Sequence, residues 1–317
     1  MPSPLTLSVL DIGWRGYEPA FIHSYAACTG GSVFTNPKKV PAGPVLLVLR
    51  KNNLRRASAA LDEHRERGSK ILIALAGSSS HDIATTLADT TRWEFFRSIC
   101  SRCDLALAQV EDLVPMFNEA GSPRTEFLPV PIDFDSAPAP KPLSELRGIF
   151  VGSREFRTPA RRHLEAVTHA DSLSRRHQIP LAVLNSEGRD GGMVLKDFQR
   201  RNPLFYIIEA PITRTDFLDV FRLHRIVWQL DTTSAPGRIA SDAILCGLPC
   251  VGGNGTAERL AFPAVCGPRP IPELLESAGR LLTDDVFWNE TVGCAQEKAR
   301  AGLAFAAVSL RISELLG

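Results

Sequence analysis

Short apolar runs without polar alternation recur along the chain, and longer stretches with helical spacing separate them. In the first half the runs are "LTLSVLDI", "PVLLVLR", "KILIALAG", "DLALAQV" and "TEFLPVPI". Runs of about four to eight such residues predict strands buried on both faces. Between them, "NLRRASAALDEHRERG" and "HDIATTLADTTRWEFFRSICSRC" place apolar residues at helical intervals. Strand, helix, strand in repetition predicts a parallel sheet with right-handed crossovers. The stretch "DFDSAPAPKPLSELRG", residues 133–148, is rich in Pro, Ala and Ser and reads as an interdomain linker. The alternation then restarts with "GIFVGS", "PLAVLN", "LFYIIEAP", "RIVWQLD" and "LPCVGG", separated by helical patterns such as "TPARRHLEAVTHADSLSRRH" and "RTDFLDVFRLHR". Residues 271–317 are almost all helical in pattern. The prediction is an α/β protein with two Rossmann-like parallel-sheet domains facing a cleft. They span 1–140 and 141–300, with a terminal helix over 301–317.

Composition narrows the function. The chain has 317 residues, long enough for two domains, and a net charge of +1 that advertises no nucleic acid or anionic surface. Aromatic residues make up 7% and do not interleave with basic ones, so nucleic-acid binding is not expected. No apolar run is long enough for a transmembrane helix. The start, "MPSPLTLSVLDIGWRG", has no basic region ahead of its short apolar run and reads as a first strand rather than a secretory signal. Seven cysteines at irregular spacing fit free thiols in a reducing compartment. Cys100 and Cys103 form a lone C-x-x-C at the end of a helical run, without the second pair a zinc site needs. A cytoplasmic protein is expected, with peripheral membrane contact left open.

The densest chemistry lies in "SAPGRIASDAILCGLPCVGG", residues 234–253. Read in order, "RIVWQLDTT" is a strand, "GRIASDAILCG" the following helix and "LPCVGG" the next strand with its exit loop. Gly237 and Arg238 thus open a helix at a strand's carboxyl end, where unpaired N–H groups and the helix dipole favour an anion. Arg238 can add a bidentate fork to a phosphate. Asp242, four residues on, can accept hydrogen bonds from a ribose diol, or pair with Arg238 on the helix surface. Gly247 reads as the C-cap.

This stretch resembles a segment of the nucleotide-sugar glycosyltransferases with the two-Rossmann (GT-B) fold. Many of these carry a glutamate, a Gly-x-Gly-like turn, a second glutamate, then "AMACGLPVV" and a glycine-rich loop. "CDLALAQVEDLVPMFNEAGSPRTEFLPVPIDFD" resembles the family's last N-domain unit, and "GIFVGSREFRTPARRHLEAV" its first C-domain strand with a basic loop. The resemblance covers roughly residues 103–260; residues 1–100 match in architecture only. It implies a nucleotide held by the C-domain, an acceptor held by the N-domain and a terminal helix crossing back onto the N-domain. Asp242 stands for the second glutamate and Ser234 for the first, which removes a charge at the donor sugar.

Members of this family stabilise the departing diphosphate with helix dipoles and basic side chains instead of a metal. Arg154 and Arg157, after the first C-domain strand, are candidates beside Arg238; alternatively Arg157, Arg161 and Arg162 coat a solvated helix face. His81 follows "ILIALAGSSS" at a strand's carboxyl end and is the catalytic candidate, with Asp82 beside it as a helix cap. Asn254, Gly255 and Glu258 resemble the loop that meets the donor sugar; alternatively Glu258 starts the following short helix as a favourable N-terminal acid. Asp11, Gly13 and Arg15 end the first strand; the loop either binds the acceptor or is a plain turn. The remaining histidines read as surface or packing residues. The expected function is metal-independent transfer of a sugar from a nucleotide-diphosphate sugar to an unknown acceptor, with no cofactor. A non-catalytic nucleotide-binding or scaffold protein and a sugar-nucleotide epimerase on the same fold are the alternatives.

Overall fold

The structure is a computed structural model and describes residues 6–16, 20–77, 80–152 and 155–317. The chain divides into two compact units, Met1–Phe134 with Ser234–Pro236 and Ala301–Gly317, and Asp135–Thr233 with Gly237–Arg300.

The first unit holds β1 (Ser8–Leu10), β2 (Val33–Phe34), β3 (Val45–Leu49), β4 (Ile71–Leu75), β5 (Leu105–Ala108) and β6 (Thr125–Phe127). They form one sheet in the order β2-β1-β3-β4-β5-β6, with every pairing parallel. Its helices are α1 (Ser24–Cys28), α2 (Leu54–Glu66), α3 (Ser80–Thr86), α4 (Thr90–Cys100) and α5 (Val114–Glu119). The uniform hydrophobicity of the strands has a direct cause. Val45, Leu47 and Leu49 of β3 enter one apolar cluster with Leu61 of α2 and Phe96 of α4. Leu46 and Val48 enter a second cluster with Tyr25 of α1. A strand covered on both faces needs no polar alternation. The helical run that begins at His81 is two helices, because Asp89 starts a new one: its carboxylate accepts the Arg92 amide at 2.8 Å. At the end of α4 both Cys100 and Cys103 are buried, and burial pushes the Cys103 thiol up to about 11.

The second unit holds β7 (Ile149–Val151), β8 (Leu181–Asn185), β9 (Phe205–Glu209), β10 (Ile226–Trp228) and β11 (Cys250–Val251), all parallel in the order β11-β10-β7-β8-β9. Its helices are α6 (His163–His177), α7 (Gly188–Arg201), α8 (Arg214–Phe221), α9 (Arg238–Cys246), α10 (Thr256–Ala261), α11 (Ile271–Thr283) and α12 (Asp285–Gly302). Trp228 is fully buried and satisfies its indole N–H on the Ala166 carbonyl at 3.0 Å. Phe150 meets Phe217, Phe221 and His224 edge-on. Burial in that apolar setting pushes His224 down to about 4, so it packs as a neutral ring.

The C-terminal helix α13 (Phe305–Leu316) belongs to the first unit. Val308, Ile312, Leu315 and Leu316 complete the cluster that Tyr25 occupies. Backbone bonds between Ile132 and Leu303 (2.7 Å) and between Phe305 and Ile132 (3.2 Å) fix its start. No helix among the described residues is long and apolar enough to cross a membrane.

Candidate functional site

In an open parallel sheet, ligands collect beyond the carboxyl ends of the strands where the strand order reverses. In the second unit that point lies between β7 and β10. The chain leaves β10 through Gln229–Thr233 and, after Gly237, starts α9. Gly237 has φ +84° and brings no capping side chain to the first turn of α9. Close approach explains the glycines here. A Cβ on Gly152, just past β7, would lie 2.5 Å from Ile239 of α9. One on Gly237 would lie 2.1 Å from Glu258 Oε2, and one on Gly252 would lie 1.9 Å from the Gln229 carbonyl oxygen. The glycines let α9, α10 and the exit loop of β11 close over the strand ends.

Behind Gly237 sits a buried polar group. Glu258 is 4% exposed; its Oε1 accepts the Gln229 Nε2 at 2.7 Å, and its Oε2 has no hydrogen-bond partner. Burial pushes Glu258 up to about 7, against the lowering effect of its hydrogen bonds. Gln229 also donates to Cys250 Sγ at 3.4 Å, tying the ends of β10 and β11 to α10. Beside this group, Arg161 pairs with Glu155 at 3.0 Å and with Asp231 at 3.4 Å. Asp231 in turn accepts the Thr233 amide and hydroxyl at 2.8 and 2.6 Å. A cavity of about 60 Å³ lies between Arg162, Asp231, Thr232, Asn254 and Arg269.

Among the candidates from sequence, Arg238 is exposed in the first turn of α9, and Asn254 lies at the same strand ends, bonded to the Thr232 carbonyl at 3.4 Å. Gly255 caps α10. Asp242 lies on the buried side of α9 and gives both carboxylate oxygens to Arg214 of α8, at 2.7 and 2.5 Å. Arg157 is exposed and pairs with Asp190. Ser234 donates its hydroxyl to Asp112. Arg154 lies outside the described residues. His81 lies in the first turn of α3, and its side chain lies outside the described residues. Sequence reasoning did not single out Gln229, or Arg161 with Asp231, as one group. Arg161 reads as part of a solvated face, but the turn Pro159–Arg161, ending at Arg162 with φ +47°, carries it inward.

The corresponding point of the first unit, between β1 and β3, is filled from within. Asp11 is fully buried; it accepts Arg50 Nε at 2.7 Å and Nη2 at 2.6 Å, and His23 Nε2 at 2.8 Å. His23 Nδ1 accepts the Ala20 amide at 3.0 Å, which fixes the tautomer that donates to Asp11. Arg50 lies 4.9 Å over the Trp14 ring, and Asn53 holds both loops through the carbonyls of Ile12 and Val48. Burial would raise the Asp11 carboxyl, yet the hydrogen bonds from Arg50 and His23 hold it below its ordinary value. Gly13, at φ +84°, lies under Arg56, and Arg15 is exposed. Asp11 is thus ion-paired and closed to solvent, whereas Arg15 reaches it.

No protein-family model matches the chain, and no curated protein matches it. Solved structures do. An E. coli trehalose-6-phosphate structure bound with UDP-2-fluoro glucose superposes with a TM-score of 0.69 at 14% identity, covering 98% of each chain. An alpha,alpha-trehalose-phosphate synthase (UDP-forming) from Burkholderia xenovorans, in complex with glucose-6-phosphate, has a TM-score of 0.64 at 11% identity, covering 89% of this chain and 74% of the other. A mutant of S. aureus TarM, in complex with Fondaparinux, alpha-GlcNAc-glycerol and UDP, has a TM-score of 0.64 at 10% identity. That match covers 86% of this chain, which spans 55% of the TarM length. At these identities the likeness is one of fold. The chain has the GT-B fold of these glycosyltransferases, built from two parallel-sheet α/β units.

Proposed function

We propose that the protein is a glycosyltransferase that takes its sugar from a nucleoside-diphosphate sugar without a metal ion. The observation that carries this reading is the glycine-opened start of α9 at the strand-order reversal of the second unit. There the first-turn N–H groups, the helix dipole and Arg238 would take the diphosphate and stabilise the charge that develops as it leaves. Asn254 and Gly255 would border the sugar, and His81 would take the acceptor proton. The ion-paired Asp11 directs the nucleotide away from the first unit, which leaves Gly13 and Arg15 for the acceptor.

The test is a thermal-shift panel of UDP, GDP, ADP, TDP and CMP, with and without magnesium. UDP comes first because solved structures of this fold carry it. A ligand at ~100 times its dissociation constant adds about 2.7 kcal/mol. A shift by one diphosphate, unchanged by magnesium, is expected; silence from the whole panel overturns the reading.

One observation favours a second reading, a nucleotide-binding protein without turnover. Ser234 stands where the resembling enzymes carry a glutamate, and Asp242 is closed into its pair with Arg214. Release of the nucleoside diphosphate from the matching sugar donor separates the two readings. Asp242→Asn is expected to lower stability by about 1–3 kcal/mol, as a lost buried charge-assisted bond does, and to leave nucleotide affinity within about twofold. A large loss of affinity without destabilisation would instead place Asp242 on the ribose.

A further inference from the structure

The buried Glu258 carboxyl is not explained by packing alone. One oxygen is satisfied by Gln229, and the other ends without a partner against Gly237, the residue that opens α9. An ionised carboxylate in that place sits beneath the positive end of the helix. It would partly cancel the field that a diphosphate needs. The acid form would leave that field intact, since it carries no charge.

We propose that binding of a nucleoside diphosphate at the start of α9 is coupled to a proton on Glu258, the acid form being the binding-competent one. The inference rests on the nucleotide reading above and adds its regulation. The surroundings support it from every side. Gln229 and Asp231 come from the end of β10, and Asp231 disfavours a second negative charge. Cys250 of β11 and Cys266, whose thiol donates to the Cys250 carbonyl at 3.2 Å, are buried neighbours, and burial raises the Cys266 thiol. Arg259 on α10 favours the charge, and Arg161 is already engaged with Asp231 and Glu155. From α9 come Gly237 and the exposed Arg238. The carboxyl is poised near neutrality, so a diphosphate that holds the proton in place pulls the equilibrium toward the acid.

The experiment is calorimetric titration of UDP-glucose into the full-length protein between pH 6 and 8. Its diphosphate is a diester and does not ionise in this range, so the ligand adds no trend of its own. Affinity is expected to fall about tenfold from pH 6 to pH 8, the change for a carboxyl that titrates near 7 and binds only in its acid form. Titrations at pH 7.5 in two buffers of different ionisation enthalpy should show uptake of roughly three-quarters of a proton. Glu258→Gln, which keeps the Gln229 contact without a charge, should bind equally at both pH values and take up no proton. If that variant does not fold, the proton count of the wild type decides. Binding that is flat with pH and takes up no proton overturns the linkage and leaves the nucleotide site standing. Absence of binding at every pH by UDP-glucose and by the GDP-, ADP- and TDP-glucoses overturns both.

Discussion

Gly237→Ala is expected to cost about 2–5 kcal/mol of folding stability and to abolish nucleotide binding. Two terms add. At φ +84° an L side chain costs about 1–2 kcal/mol. The new Cβ would also lie 2.1 Å from Glu258 Oε2 and 2.9 Å from both the amide nitrogen and Cβ of Ala257. Glu258 cannot swing aside, because it is buried and bonded to Gln229. Forcing an atom into such a place costs about 1–3 kcal/mol. Gly247→Ala is the control. It has φ +66° but meets nothing closer than Pro140 at 3.4 Å, so only the conformational term applies. Urea unfolding of the two variants checks this, and equal losses would refute the contact with Glu258.

Asp11→Ala is expected to cost about 3–5 kcal/mol, as removal of one partner of a buried ion pair does. Arg50 retains 23% exposure and recovers some solvation, which places the effect near the lower end. The variant also strips His23 of its acceptor and loosens the loop that carries Trp14. The pH dependence has a definite sign. The folded Asp11 carboxyl titrates below its ordinary value of 3.8, so it stabilises fully above that pH. Its contribution is lost as pH falls through the folded value. Between pH 6 and 4 the melting temperatures of wild type and variant should run parallel, and below pH 4 they should converge. Curves that stay parallel down to pH 2.5 would mean that the pair does not hold the charge.

Much of this fold was legible because of how a doubly covered sheet is made. β3 and β4 are five-residue runs with every position buried, and such runs stand out in a chain. β2 did not, since two residues at an edge, one of them exposed, carry no periodicity. The start of α9 was legible for a local reason: a glycine and a basic residue directly follow a strand. The partners of the acids were not. Asp11 finds His23 and Arg50 at separations of 12 and 39 residues, through strand order rather than spacing. Asp242 reads as a neighbour of Arg238 four residues away. The buried side of α9 turns it to Arg214 instead, 28 residues upstream. Glu258 read as part of a loop beside the sugar, and only the packing shows it closed in behind Gly237.

Hydrogen–deuterium exchange with and without saturating UDP tests the central claim most directly. The account predicts slowed exchange at the amides of residues 238–240 in the first turn of α9, with smaller protection at 229–233 and 252–255. Protection confined to the first unit, or binding that leaves the amides of α9 unchanged, would contradict it.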